Sequence, residues 1–169
     1  MSRRVVIADA GPLIALARID ALDLLRGLFG RVCITVAVRD EILPTAASFP
    51  DTGLLARTLQ EGWIEVVDEP PGNWKPLNPG VDPGEASAIH AACVWRDAGD
   101  AVLLVMDDRT GRLEAKAHGI ALIGTAAVIG LARTEGLIVA ARPLLERLAR
   151  SGYYLGQAVI DAVLADAGE

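Results

Sequence analysis

The chain of 169 residues is long enough to bury one substantial hydrophobic core and too short for two domains of ordinary size. Because 52% of its residues are hydrophobic, burial can offset the entropy lost on folding, which excludes intrinsic disorder. The 22 acidic residues outnumber the 16 lysines and arginines and give a formal net charge of -6, which disfavours a basic module that binds nucleic acid by charge alone.

Short apolar runs alternate with amphipathic stretches along the chain. The runs predict strands at residues 4–8, 32–34, 63–67, 101–106 and 120–123. The amphipathic stretches predict helices from residue 11, over residues 22–28, 36–43, 52–60, 82–95, 109–118, 141–150 and 156–167, and from residue 125 to near 136. Residues 68–81, rich in proline, glycine and asparagine, are predicted to be a loop.

Helices between strands require crossover connections, which join parallel strands. The sequence therefore predicts a three-layer α/β/α fold with a central, mainly parallel five-stranded sheet. The sequence contains no internal repeat and no linker, so residues 1–169 are predicted to form a single domain.

The cysteines and the apolar runs predict a cytoplasmic protein that does not enter a membrane. Cys33 and Cys93 lack the spacing of a zinc site and are typical of small buried residues in a reducing compartment. Asp9 interrupts the first apolar run too early for a secretory signal. The longest uncharged run, residues 119–132, is too short to span a bilayer.

Acidic or hydroxyl side chains follow every predicted strand. The ligand crevice of a parallel sheet lies outside the carboxyl ends of its strands, so these side chains are expected to meet at one edge. They are Asp9, Glu41, Glu85, the neighbouring pair Asp107 and Asp108, and Thr125. Gathered carboxylates repel one another, and the usual neutraliser of an all-oxygen cluster is a hard cation such as Mg²⁺ or Mn²⁺. The pattern predicts a metal centre.

Each of these residues also has a structural interpretation. Glu41 belongs to the charged triplet at residues 39–41, which is typical of a solvated helix face. The others stand where helix caps are expected: Asp9, Asp108 and Thr125 as N-caps, and Glu85 in a capping box with Asp82. A capping position also points the Glu85 carboxylate toward the crevice, so its two roles are compatible. It is the shared placement of the residues that favours the metal site.

Four segments resemble the PIN-domain family, the fold of the VapC-type toxin ribonucleases. The first is VIADAGPLIAL at residues 6–16, which is similar to that family's strand-one aspartate followed by a small residue and a helix. The others are DPGEA at residues 82–86, MDDR at 106–109 and GT at 124–125, which look closest to a bacterial PIN-like subgroup. The segments occur in order, and the resemblance spans about residues 4–150.

The resemblance implies a metal-dependent endoribonuclease that hydrolyses RNA phosphodiesters as the toxin of a type II toxin–antitoxin pair. It implies RNA as substrate, a cognate antitoxin as partner, a homodimer, and Mg²⁺ or Mn²⁺ as cofactor. The family's catalytic, metal-binding acids fall on Asp9, Glu41, Glu85 and the pair Asp107 and Asp108, of which either is a candidate ligand, with Thr125 in support. Many family members have aspartate where this chain has Glu85, and the helices beyond about residue 140 exceed a minimal PIN domain.

Cationic residues after the acidic pair are the predicted contacts for RNA phosphates, although a solubilising helix face explains them equally well. They are Arg109, Arg112 and Lys116. Trp74 is interpreted either as a base-stacking residue or as a local packing anchor. His90 and His118 lie far from the strand ends and are interpreted as structural or surface residues.

A second hypothesis is a catalytically weak or inactive PIN-like module that acts through a protein partner. It is motivated by the acidic charge, by Glu85 and by the amphipathic C-terminal helices. Leu144, Leu145, Leu148 and residues 153–155 would then form a dimer or antitoxin surface, the alternative being packing on the domain's own sheet. A haloacid-dehalogenase-like phosphatase is disfavoured by the glycine at position 11, a receiver domain by the late acidic pair, and a P-loop NTPase by the missing glycine-rich lysine motif.

Overall fold

The computed structural model describes residues 2–48 and 53–169, and this part of the chain contains the predicted strands and helices. The strands are β1 (Arg4–Ala8), β2 (Val32–Thr35), β3 (Ile64–Val67), β4 (Ala101–Val105) and β5 (Ala121–Ile123). The helices are α1 (Ala10–Arg18), α2 (Asp23–Phe29), α3 (Val36–Ser48), α4 (Gly53–Glu61), α5 (Pro83–Asp97), α6 (Arg109–Ala117), α7 (Thr125–Thr134), α8 (Arg142–Arg150) and α9 (Gln157–Asp166). The predicted start of α4, residue 52, lies outside the described residues.

The strands form one parallel sheet in the order β3-β2-β1-β4-β5, which confirms the predicted architecture. The central ladder pairs β1 with β4 along its whole length, from Arg4 opposite Ala101 to Ala8 opposite Val105. The chain adds β2 and β3 on one side of β1 and then β4 and β5 on the other. Ligands bind outside the carboxyl ends of strands at such a reversal, so the residues after β1 and β4 are best placed to form a site.

Two hydrophobic clusters cover the two faces of the sheet. Successive side chains of a strand point to opposite faces, and in β1 this places Val6 and Ala8 in one cluster and Ile7 in the other. The larger cluster contains residues of α1, α2, α3, α4, α7, α8 and α9, whereas the smaller one contains residues of α5 and α6. The sheet therefore lies between two helical layers, as predicted.

The helix ends include two corrections to the predictions. Helix α3 continues through Pro44 to Ser48 instead of ending at residue 43, because a proline in an exposed helix removes one backbone hydrogen bond without always ending the helix. Thr125 is not the N-cap of α7, since Gly124 holds that position. The backbone N–H and the hydroxyl of Thr125 instead donate hydrogen bonds to Asp107.

A buried glutamate and a tryptophan fix the loop that precedes α5. Glu114 of α6 accepts hydrogen bonds of 2.7 and 3.0 Å from two backbone N–H groups of the loop. Trp74 stacks on His90, with ring centroids 5.2 Å apart, and also contacts His118. The contacts of Trp74 are those of a packing anchor, and both histidines serve this packing. The anchored loop leads directly into Asp82 and so positions the first turn of α5.

The C-terminal helices pack on the rest of the chain. Leu145 and Leu148 of α8 are fully buried in the larger cluster, and Leu144 is partly buried against it. These leucines therefore pack on the domain's own core and do not form an exposed surface for a partner. None of the helices in residues 2–48 and 53–169 is both long enough and apolar enough to span a membrane.

Candidate functional site

The predicted acids meet where the strand order reverses. Asp9 follows β1 and Asp107 follows β4, so two of them leave neighbouring central strands at the same edge. Glu85 lies in the first turn of α5, and Glu41 lies in α3, a helix that packs against α5. The topology therefore brings these four carboxylates to the same edge of the sheet, near enough for their charges to raise one another's pKa.

Asp9 is the most unusual of these acids because a buried oxygen of its carboxylate is left without a partner. The residue is only 6% exposed, and its Oδ1 atom has no hydrogen-bond partner among the described residues. It stands at the N-cap position of α1 but makes no side-chain capping bond, so the capping interpretation does not account for it. Burial is the main cause that raises the pKa of Asp9 to about 7. Neighbouring carboxylates raise it further: Asp82, Glu41 and Asp107.

Glu85 has both of its predicted roles in the same place. It completes the capping box of α5: its backbone N–H donates to Asp82 Oδ1 at 2.8 Å, and its Oε2 accepts from the Asp82 N–H at 3.2 Å. The residue is only 6% exposed, and burial is the main cause that raises its pKa to about 8. Asp82, Asp108 and Asp9 raise this pKa further by their charge. Its carboxylate therefore takes part in the cap of α5 and at the same time lies near Asp9 and Asp108.

Two residues of the first turn of α5 were not singled out for the site by the sequence. Asp82 was predicted only as a capping residue, yet its charge raises the pKa of Asp9, Glu41 and Glu85. Gly84 is the second, because the space that a Cβ would occupy there is already taken by the carboxylate of Glu41. The DPGEA segment contains both signals, but their meaning depends on how α3 packs against α5.

Replacing Gly84 with Ala is expected to weaken the binding of Mn²⁺ while leaving the fold intact. The added Cβ would push the Glu41 carboxylate away from α5. Alanine favours a helix by about 1 kcal/mol over glycine, so the melting temperature is not expected to fall. Titration calorimetry with Mn²⁺ should show an affinity lowered by about 10-fold or more.

The matched control for this substitution is Gly53→Ala in the first turn of α4. A Cβ at Gly53 meets no atom within 4 Å, so this variant adds the same methyl group without displacing an acid. An unchanged Mn²⁺ affinity in Gly84→Ala would contradict a metal-binding role for Glu41.

The two acids of the neighbouring pair have different environments. Asp107 accepts from the Thr125 N–H at 2.8 Å and from the Thr125 hydroxyl at 2.5 Å, and the Tyr153 side chain lies beside it. These donors hold its carboxylate at the carboxyl edge of β4. Asp108 accepts from the Gly111 N–H at 3.0 Å and caps α6. Tyr153, which was predicted only as part of a surface, therefore joins the site from the connection between α8 and α9.

The three predicted cationic residues are spread along α6. Arg112 is half-buried beside the acids and donates from Nη1 to the backbone carbonyl of Met106 at 2.8 Å. Arg109 is exposed in the first turn of α6, near the crevice, whereas Lys116 is exposed in its last turn. Because an α-helix rises about 1.5 Å per residue, Lys116 lies about 10 Å farther along the axis than Arg109. The arginines therefore lie at the site, and Lys116 at a distance.

The donor set fits a hard divalent cation. In the described part of the chain, no three Asp, Glu, His or Cys side chains are grouped tightly enough to coordinate an ion together. The donors are nevertheless carboxylate and hydroxyl oxygens, which Mg²⁺ and Mn²⁺ prefer. A cation would also give the unpartnered Oδ1 of Asp9 a binding partner and offset the repulsion between the carboxylates.

Comparison with known proteins extends the match over the whole fold. The DUF3368 family model, described as a PIN domain, matches residues 5–169. No curated protein matches the chain. The matched range begins within β1 and includes all later strands and helices, so it adds α9 to the resemblance seen over about residues 4–150.

Proposed function

Because the chain belongs to the PIN-domain family, whose fold is of the nuclease type, we propose that it is a metal-dependent endoribonuclease that hydrolyses RNA phosphodiesters. The observation that carries the proposal is the buried, unpartnered Oδ1 of Asp9 among carboxylates that raise its pKa. Both oxygens of a structural acid are expected to be capped, paired or solvated, and Oδ1 of Asp9 is none of these in the described structure.

The residues proposed to hold Mg²⁺ or Mn²⁺ are Asp9, Glu41, Glu85 and Asp107. Asp107 is preferred to Asp108 because two hydrogen bonds from Thr125 hold its carboxylate at the strand edge, whereas Asp108 caps α6. When bound, the cation would acidify a water molecule and polarise the scissile phosphate. The contribution of the protein is to hold its carboxylates in position before the substrate binds, as the hydrogen bonds of Glu85 and Asp107 do.

The proton of the attacking water is assigned to a carboxylate of the same cluster. The histidines of the chain, His90 and His118, both pack against Trp74, so neither stands beside the acids. Arg112 and Arg109 are the cations proposed to attract the phosphate groups that flank the cleaved bond. The net charge of -6 makes metal a requirement for RNA binding, because the acids at the crevice otherwise repel phosphate.

The test is cleavage of a fluorescently labelled single-stranded RNA by the purified protein with Mn²⁺ or Mg²⁺. We expect internal cleavage that EDTA abolishes and that excess Mn²⁺ restores, since the carboxylates act only with the cation bound. A DNA strand of the same sequence is the substrate control. Intact RNA at every metal concentration, from a folded protein, would rule out the proposed activity.

The biological role that fits this activity is the toxin of a type II toxin–antitoxin pair in the cytoplasm, acting as a homodimer and neutralised by a cognate antitoxin protein. The proposal follows from the family and from the candidate site. Induced expression of the chain is then expected to arrest growth and co-expression of the antitoxin to restore it. The alternative, an inactive partner-binding module, is weakened because two leucines of its proposed surface, Leu145 and Leu148, are buried in the core.

A further inference from the structure

A cavity lies directly beside Asp107, which is one of its lining residues. It has a volume of about 320 Å³ and is formed between the start of α7 and the connection from α8 to α9. Asp107 and Arg112 are its charged lining residues, and alanine and valine side chains are among the apolar ones. Tyr154 lies at the cavity and is 93% exposed, although a tyrosine usually buries most of its ring. The cavity is thus continuous with the candidate active site.

The chemistry of this cavity matches one nucleotide. A nucleobase has apolar faces and a polar edge, and the cavity is lined both by apolar side chains and by the charged side chains of Asp107 and Arg112. The volume lies at the lower end of the range of about 300–1,000 Å³ for small-molecule sites, which suits a single nucleotide rather than a folded segment. Exposed aromatic rings are the usual stacking platforms for bases of single strands, and Arg112 carries the charge that a phosphate needs.

The position of Tyr154 is fixed by its neighbour in the sequence. The side chain of Tyr153 is more than half buried and lies beside Asp107 and Thr125, which places the connection between α8 and α9 against the carboxyl edge of the sheet. Tyr154 is therefore presented at a fixed place next to the acids, although its own ring is exposed. Such an exposed ring beside a cavity is available to a ligand.

We propose that this cavity binds one nucleotide of single-stranded RNA adjacent to the scissile phosphate, with the base stacked on Tyr154 and a phosphate near Arg112. The inference rests on the proposed ribonuclease function and deepens it, because it makes the C-terminal connection a determinant of substrate recognition. Bases inside a duplex are already stacked and are not available to the ring, so the substrate is single-stranded at this position.

The test measures the affinity of the protein with Asp9 intact for a fluorescein-labelled ten-nucleotide RNA by anisotropy with Mg²⁺, and the RNA carries phosphorothioate linkages that resist cleavage. Loss of one base–aromatic stack in Tyr154→Ala is expected to lower the affinity by about 5- to 100-fold. Tyr154→Phe keeps the stacking ring and should remain within about twofold. Val139→Ala is the matched control, because Val139 is equally exposed at 93% but does not line the cavity.

A second measurement locates the nucleotide. RNAs that each carry one abasic residue are compared, and a single position is expected to lose affinity with the native tyrosine but not with Tyr154→Ala. Unchanged affinity in Tyr154→Ala would overturn the inference, and if RNA is still cut by the protein with Asp9 intact, the proposed function stands. If Tyr154→Ala weakens binding but the native protein cuts no RNA, the proposed function fails and the nucleotide site stands. Unchanged RNA affinity with lost neutralisation by the antitoxin would identify a protein-docking site instead and would also overturn the inference.

Discussion

Replacing Asp9 with Asn is expected to abolish metal-dependent RNA cleavage without unfolding the protein. The substitution keeps the shape of the side chain but removes the charge that a cation needs at the centre of the cluster. Loss of an outer-shell partner of a metal already costs about 10- to 100-fold, so loss of this proposed ligand should lower the cleavage rate by at least about 100-fold. The measurement is the initial rate on single-stranded RNA at saturating Mn²⁺.

The fold is expected to survive this substitution because Asp9 makes no capping hydrogen bond that asparagine would lose. Circular dichroism and the melting temperature are therefore measured alongside the rate. Asp40→Asn is the matched control: Asp40 has a 61% exposed side chain paired with Arg39, so the same chemical change is made outside the crevice. Equal rates in Asp9→Asn and in the native protein would exclude Asp9 from the reaction.

Much of the fold could be predicted because its signals are local. The β-branched run at β1 is buried after its first residue and the apolar run at β4 is buried at its carboxyl end, and such runs need no tertiary information to be recognised. Parallel pairing then followed from the helices between them. The acids at the ends of β1 and β4 were predicted by the same rule, because the carboxyl ends of parallel strands share one edge.

The parts of the site that the sequence missed depend on contacts between distant segments. Tyr153 reaches Asp107 from 46 positions farther along the chain, and no local pattern indicates that contact. Gly84 matters only because α3 brings Glu41 against it. Thr125 illustrates the opposite error: threonine is a good N-cap, but a carboxylate from the neighbouring strand takes its hydroxyl. The strand-end pattern indicated the acids and Thr125 as candidates, but no local pattern indicated Tyr153 or Gly84, which lie against those acids.

The metal-free protein is expected to lose stability as the pH rises from about 5.5 to 8.5. Burial raises the pKa of Asp9 to about 7 and that of Glu85 to about 8, so the folded state holds these protons more tightly than the unfolded state. This stabilisation is full below the unfolded pKa values near 4 and is lost as the pH rises through the folded values. The carboxylates that face the two acids, Asp82, Glu41, Asp107 and Asp108, act in the same direction.

The size of the effect follows from the shifts. One pKa unit corresponds to about 1.4 kcal/mol, so two acids shifted by several units give a loss on the order of a few kcal/mol. For a chain of this length each kcal/mol moves the melting temperature by about 2–4 °C, and a fall of about 5–15 °C across the window is expected. Glu114 and Glu169 have pKa values below their usual range, so they stay ionised throughout this window and do not mask the effect.

Metal and mutation should remove the pH dependence by independent routes. Mn²⁺ competes with the protons, so it is expected to raise the melting temperature more at pH 8.5 than at pH 5.5. The double variant Asp9→Asn and Glu85→Gln removes both titrating groups while glutamine retains the capping box, and its melting temperature should be nearly constant over the same range. A melting temperature of the native chain that stays level or rises between pH 5.5 and 8.5 without metal is incompatible with a strained acidic cluster. Such a result would remove the physical reason for a cation at this edge of the sheet.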